Sequence, residues 1–348
     1  MPKKLSLVGP RQLRLTTYED APLQPHQIRA QAIQSGVSHG TELNLYRGTS
    51  PFADKHFDPD LRLFLPGRDD APPPELGYEW VGRVTEVGPD VIGFREGDLI
   101  HLLLPHQETH TVDPFDIPFH DYLEPLPSDV SPDQAIFLAL AGVALQAIHD
   151  ARIQTGDRVA IFGLGVIGLM AVQLARINGA GWIDAVDPIP HRREMALTYG
   201  ADQVIDPLAE DAGLVIKSTG KRPGADVAIE LSGNYAALHQ AIRSVRMGGL
   251  VVAGGFYQKG AEGLRLGEEW HHNRITMVSS MAAWDCPHRD YPLWDRTRIN
   301  ETVTELLASG RLQTAGMITH RFPFARAREA YDLIDKHPDQ TIKVVLTY

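Results

Sequence analysis

Val159-Ala160-Ile161-Phe162-Gly163-Leu164-Gly165-Val166-Ile167-Gly168-Leu169-Met170-Ala171-Val172-Gln173-Leu174-Ala175 is the stretch that decides the fold. It opens with a strand of buried type and closes with an apolar helix, and three glycines fill the turn between them. Glycines in that spacing are common by chance; glycines between such a strand and such a helix are not. Gly163 permits a tight turn, Gly165 lets the backbone approach a pyrophosphate, and Gly168 lets helix and strand pack closely. Val166 and Ile167 lie in the turn as cofactor-binding candidates, and the helix that follows offers free N–H groups and a positive dipole end to the phosphates. The turn is therefore read as a dinucleotide cradle.

The next strand, Trp182 to Val186, ends in Asp187, 22 residues after Gly165. An acid at that offset is expected to bind the adenosine ribose hydroxyls and to repel a 2′-phosphate, which favours NAD over NADP. Arg192 and Arg193 pull the other way, because a basic residue there can accommodate that phosphate. Ser232, Gly254 and Phe256 complete the expected cofactor set.

Outward from the turn, strands and helices alternate. Helices are expected over 133–148, 168–178, 191–199 and 236–245, and strands over 158–162, 182–186, 203–205, 227–231, 250–253 and 275–280. That alternation implies βαβ units and a doubly wound parallel sheet, an α/β fold. The first third differs: Leu5 to Val8, Leu13 to Thr17, Gln27 to Ile33 and Val81 to Val87 read as short strands. Residues 48–74 show no periodicity and read as a long surface loop that shapes a pocket with Phe52, His56, Phe57, Phe64 and Arg68, together with Trp284, Tyr291 and Trp294. The tail returns to mixed character, with a helix over 299–309 and a strand over 342–346.

Bulk properties exclude several classes. The 348 residues are 43% hydrophobic and 22% charged, ordinary for a globular protein, and the length allows two domains. A net charge of −11 leaves no footprint for nucleic acid or an anionic membrane. No apolar run reaches the roughly 18 residues of a spanning helix, and a cytoplasmic location is expected. A lone cysteine, Cys286, excludes an internal disulfide framework and any Cys-rich zinc or iron–sulfur site.

Taken together, Gly36-Val37-Ser38-His39-Gly40-Thr41-Glu42, Gly77-Tyr78-Glu79-Trp80-Val81-Gly82, Gly156-Asp157-Arg158-Val159, the glycine turn, Gly224-Ala225-Asp226-Val227 and Lys343-Val344-Val345-Leu346 resemble the medium-chain dehydrogenase/reductase superfamily, the zinc alcohol dehydrogenase-like proteins. The resemblance spans nearly the whole chain. It implies a β-rich GroES-like catalytic domain, residues 1–130 with 283–348 returning to it, around an inserted Rossmann domain, residues 131–282. Ser38-x-Gly40-Thr41-Glu42 with Gly77-Tyr78-Glu79 looks like the bacteriochlorophyllide dehydrogenase-like branch, whose chemistry interconverts a secondary alcohol and a ketone. The resemblance also implies a homodimer built on the strand near 275–280.

The zinc positions of that family do not carry zinc ligands here. The cysteine ligand falls on Ser38 or His39, the histidine ligand on Tyr78, and the third near Ala139 or Leu140. Tetrahedral zinc takes thiolate, imidazole or carboxylate; His39 and Glu79 are of metal-binding type, but two groups do not make a site, so no metal is expected. Hydrogen-bond donors and a proton-transfer side chain must then replace the Lewis acid. Ser38, His39, Thr41, Tyr78 and Glu79 are the catalytic candidates. Each also has a plainer reading: Tyr78 as volume filler, His39 as a pyrophosphate or backbone partner, Glu79 as a buried acid paired with an arginine, and Ser38 as a cavity-filling substitute. The region of His101, His106, His110 and His120, with Glu108 and Asp121, and the pair His271-His272 are read as chance clusters. Two alternatives remain: a quinone or enoyl reductase of the same superfamily, which Asp187 argues against, and a silent dinucleotide-binding protein.

Overall fold

The computed structural model describes residues 1–67, 75–117, 123–258, 260–281 and 294–348. Among the sequence candidates, Arg68, His120, Asp121, Trp284, Cys286 and Tyr291 lie outside them. The chain divides into two compact units, 1–139 with 314–348, and 140–313. The expected seams lay at 130/131 and 282/283. One reason for the difference is the helix Arg296–Ala308, which buries Ile299, Val303, Leu306 and Leu307 within the second unit. A Cβ on Gly142 of the helix Leu138–Ala151 would touch Ile299 at 3.5 Å.

The first unit is the GroES-like β-rich domain. Its main sheet runs in the order Ile318–Pro323, Lys343–Thr347, Ile28–Val37, Trp80–Val87 and Leu99–Leu102, with Thr109–Val112 also paired to Ile28–Val37. The C-terminal strand pairs antiparallel with Ile28–Val37, Val344 facing Val37 and Val345 facing Gly36. The last residues thus return to the first unit. Strand Ile28–Val37 becomes buried throughout toward its end, where Ser35 and Gly36 lie between two neighbours. One apolar cluster, with Val37, Tyr46, Tyr331 and Leu346, covers one side, and another, with Ile28, Trp80 and Ile100, covers the other. Fully burying side chains of this size is worth about 1.5–3 kcal/mol each.

The stretch expected to be a structureless loop contains a hairpin instead. Lys55–Asp58 pairs antiparallel with Leu63–Pro66. Asp58 Oδ1 closes the turn by accepting from the N–H groups of Asp60 at 2.9 Å and Leu61 at 2.8 Å. The Phe64 ring packs on Phe57 at 5.2 Å and on Phe52 at 5.3 Å. Four-residue strands are too short for a period-2 pattern to be read.

The second unit is the Rossmann domain. Its strands are β1 (Arg158–Phe162), β2 (Trp182–Val186), β3 (Gln203–Ile205), β4 (Ala225–Glu230), β5 (Val245–Ala253) and β6 (Thr276–Ser279). They form one parallel sheet in the order β3-β2-β1-β4-β5-β6, with β6 at the edge. The strand order reverses between β1 and β4, where open α/β sheets bind ligands beyond the strand ends. The expected helix over 133–148 is two helices, Pro132–Ala135 and Leu138–Ala151; Ser131 starts the first with a reciprocal bond to Gln134.

Candidate active site

Ser38 and Tyr78 stand at the ends of two adjacent antiparallel strands. Ser35 faces Trp80 in the ladder, and Gly36 N–H donates to the Glu79 carbonyl at 2.8 Å. That register brings the residue after Val37 beside the residue before Glu79. The Tyr78 hydroxyl donates to Ser38 Oγ at 2.5 Å, with the Thr41 side chain near it. Burial, then the charge of Glu79, pushes the Tyr78 phenol well above its ordinary value, so it stays protonated. Ser38 is buried, while His39 and Thr41 are partly covered in the turn and first position of the helix Thr41–Arg47. Three of the five catalytic candidates therefore share one hydroxyl cluster.

Glu79 does not face that cluster as a base would. Its carboxylate forms an ion pair with Lys343, and both side chains are essentially inaccessible, at 0% and 1%. The partner is a lysine from the C-terminal strand rather than the arginine expected. Gly36 is required for it: a Cβ there would overlap the Glu79 carboxylate and come within 2.6 Å of Lys343 Cε. Lys343 Nζ also donates to the Val37 carbonyl at 3.3 Å. Burial is the largest influence on Glu79 and lifts its carboxyl above the usual range despite Lys343.

Behind Ser38 lies a network with no counterpart in the sequence expectations. Glu42 Oε2 accepts from the Ser38 N–H at 2.9 Å, and Oε1 meets His106 Nε2 at 2.8 Å and accepts from the Tyr331 hydroxyl. His106 Nδ1 meets Ser35 Oγ at 2.7 Å, and Ser35 Oγ meets the Tyr348 hydroxyl at 2.8 Å. Burial alone would raise Glu42, but His106 and the three hydrogen bonds outweigh it and bring the carboxyl below its ordinary value.

The histidine region separates into private partners. His106 belongs to Glu42. His110 bonds Gln107 Nε2 at 2.8 Å and the Pro105 carbonyl at 3.0 Å, and burial pushes it down to about 4. Glu108 accepts from the Lys3 N–H at 2.8 Å. His272 Nδ1 meets the Glu268 carbonyl at 2.9 Å. Among the described residues, the one group with metal-ligand spacing is His239, Glu268 and Glu269. Both carboxylates already face arginines, Arg265 at 3.5 Å and Arg243 at 3.2 Å.

In the second unit, the three glycines serve different ends. Gly163 has φ +87°, and a Cβ there would come within 2.7 Å of the Ser232 nitrogen. A Cβ on Gly168 would overlap the Gly163 carbonyl oxygen, so helix Val166–Ile177 lies hard against the turn. Gly165 is the N-cap, and a Cβ there would meet no described atom within 4 Å. Internal packing explains the first and last; open space above the helix N-terminus, with Val166 and Ile167 in its first turn, suits a phosphate at the second. A dinucleotide fits this turn.

Asp187 follows β2, as expected, but its carboxylate also has a structural task. Oδ2 accepts from Leu164 N–H at 2.7 Å and Oδ1 from Ile189 N–H at 2.8 Å. It ties the glycine turn to the end of β2. Arg192 lies 3.9 Å away, and Arg193 donates to the Asp187 carbonyl at 2.6 Å and pairs with Asp206 at 3.1 Å. Ser232 follows β4, Gly254 and Phe256 follow β5, and all sit at the same end of the sheet as the turn.

The zinc positions can be judged on the donors present. Ser38 and Tyr78 offer neutral hydroxyls already bonded to each other, and neither is a group that tetrahedral zinc takes.

A family profile described as "Zinc-binding dehydrogenase" matches residues 166–293. D-guloside 3-dehydrogenase of Escherichia coli (strain K12) is 36% identical, over 99% of this chain and 100% of its own. This chain belongs to the medium-chain dehydrogenase/reductase superfamily. L-threonine 3-dehydrogenase of Caldanaerobacter subterraneus is 30% identical over 79% of this chain and 82% of its own. The structure of alcohol dehydrogenase TADH from Thermus sp. ATN1 superposes with a TM-score of 0.76 at 25% identity, covering 99% of each chain. Membership makes the chain an NAD(P)-dependent oxidoreductase acting on CH–OH groups of a small molecule. Among the described residues, no helix is long and apolar enough to cross a membrane.

Proposed function

We propose that this chain interconverts a secondary hydroxyl of a sugar or glycoside with the corresponding ketone, using NAD and no zinc. The observation that carries this reading is the Tyr78–Ser38–Thr41 hydroxyl cluster at the family's metal position. The sugar assignment rests on the name of the relative at 36% identity, a D-guloside 3-dehydrogenase. NAD is favoured because the Asp187 carboxylate stands at the end of β2, where a 2′-phosphate would meet a negative charge.

Bound nicotinamide supplies the hydride donor or acceptor. The other tasks fall to side chains. Gly165 leaves the helix N-terminus open to the pyrophosphate, and Asp187 fixes the turn while it faces the ribose. Tyr78, protonated at neutral pH, turns its one O–H from Ser38 to the ketone oxygen and stabilises the negative charge that develops there as hydride arrives; the proton that completes the hydroxyl is taken up from solvent. Ser38 and Thr41 hold the phenol in place. Glu79, locked to Lys343, fixes the backbone beside Tyr78 rather than moving a proton.

The test is Tyr78→Phe, assayed on a panel of glycosides and their keto forms with NAD(H). We expect kcat to fall roughly a hundredfold while NADH affinity stays within twofold. Unchanged turnover would refute the assignment of Tyr78.

A further inference from the structure

Glu230, the last residue of β4, is fully buried, and its carboxylate gathers donors from two loops. Oε1 accepts from the Ser232 N–H at 2.8 Å and from the Ser232 hydroxyl. Oε2 accepts from the Gly233 N–H at 3.2 Å and from the Tyr257 hydroxyl. The Glu230 carbonyl accepts from the N–H groups of Gly254 at 2.9 Å and Gly255 at 3.0 Å. One residue thus joins the loop after β4 to the loop after β5.

The two loops have no slack. Gly233 has φ +68°, and a Cβ there would meet the Phe256 carbonyl oxygen at 3.0 Å. A Cβ on Gly255 would overlap the Gly233 backbone and come within 2.9 Å of Glu230 Oε2. The loop after β4 also abuts the glycine turn. Leu231 N–H donates to the Phe162 carbonyl at 2.8 Å, and Gly163 can approach Ser232 only because it lacks a side chain. The loops after β4 and β5 therefore share one buried carboxylate, and the loop after β4 abuts the glycine turn. A buried acid is costly to keep, and four donors on one carboxylate are more than packing alone calls for.

We infer that Glu230 is a positioning residue for the cofactor, holding the loops after β4 and β5 in register with the glycine turn. This rests on the functional reading above. A dinucleotide lies across the reversal point, so its adenosine half belongs over β2 and Asp187, and its other half over β4 and β5. Glu230 acts on the second half only. Its effect should then depend on which part of the cofactor is offered.

The experiment compares NADH and AMP binding to the purified full-length enzyme by calorimetry, for wild type, Glu230→Gln and Tyr257→Phe. A carboxamide keeps the volume but turns a donor toward groups that need an acceptor, a mismatch of the kind that costs about 1–3 kcal/mol. We expect NADH to bind about tenfold more weakly to Glu230→Gln, with AMP affinity within twofold of wild type. Tyr257→Phe removes one donor only and should weaken NADH by roughly threefold, again sparing AMP; it also provides the test if Glu230→Gln does not fold. Unchanged NADH affinity in the folded variants overturns the inference. So does an equal loss for NADH and AMP, which marks general loosening. Wild-type protein that binds neither NADH nor NADPH defeats the functional reading itself, a separate outcome.

Discussion

Glu42 in the first unit and Glu230 in the second are built alike and ionise in opposite directions. Both are buried, and each accepts from a serine backbone N–H and a tyrosine hydroxyl: Ser38 and Tyr331 for Glu42, Ser232 and Tyr257 for Glu230. Burial is the largest influence on both and pushes both up. Glu42 ends below its ordinary value because the His106 imidazole faces it at 2.8 Å in addition to those donors. Glu230 has four neutral donors and ends above its ordinary value. Glu79 is the third case: Lys343 pairs with it, burial outweighs that pairing, and the like charge of Glu42 adds to the upward push. Hydrogen-bond donors alone do not overcome burial at Glu230, whereas with the His106 imidazole added they do at Glu42.

Glu79 breaks or sharpens this comparison most strongly. Lys343→Met leaves its carboxylate buried with no cation, and we expect a loss of about 3–5 kcal/mol in urea unfolding. The double variant Glu79→Gln, Lys343→Met should recover most of it, because no unpaired charge remains. A loss below about 1 kcal/mol for the single variant would make the pair no better than a surface one.

A smaller effect separates the other two by pH. The folded-state carboxyl of Glu42 is lowered from 4.5, so its contribution to stability is present above that value and lost as pH falls through the folded one. Glu230 is raised from 4.5, so its contribution is present below that value and lost as pH rises through the folded one. The stability gap between wild type and Glu42→Gln should therefore widen with rising pH, and the gap to Glu230→Gln should narrow. Unfolding midpoints measured from well below pH 4.5 up to pH 8 read both slopes. Parallel slopes would contradict the contrast.

The two units also differ in how far they could be read from sequence. The Rossmann unit is local: strand, turn and helix are contiguous, and Asp187 follows at a fixed offset, so the fold, the glycine turn and the place of the acid after β2 were all legible. The first unit's site is assembled from remote segments. Glu42 meets His106, 64 residues away, and Tyr331, 289 residues away. Lys343 reaches Glu79 only because the last strand returns beside Ile28–Val37. Periodicity and motif spacing carry no trace of such pairings. One signal was present, a lysine opening an otherwise apolar strand, Lys343-Val344-Val345-Leu346, since a buried lysine needs a partner. Glu230 lies inside the strand expected over 227–231, and its donors on the loops after β4 and β5 leave no mark in periodicity or motif spacing.

The account stands on hydroxyls doing at Ser38, Thr41 and Tyr78 what a metal does in zinc-bearing relatives. The most direct test is the zinc content of the purified, active enzyme by plasma mass spectrometry, with NAD-dependent turnover measured on the same sample before and after chelation. We expect far less than one zinc per chain and no loss of turnover on chelation. One zinc per chain, with activity lost to the chelator and restored by zinc, would contradict it.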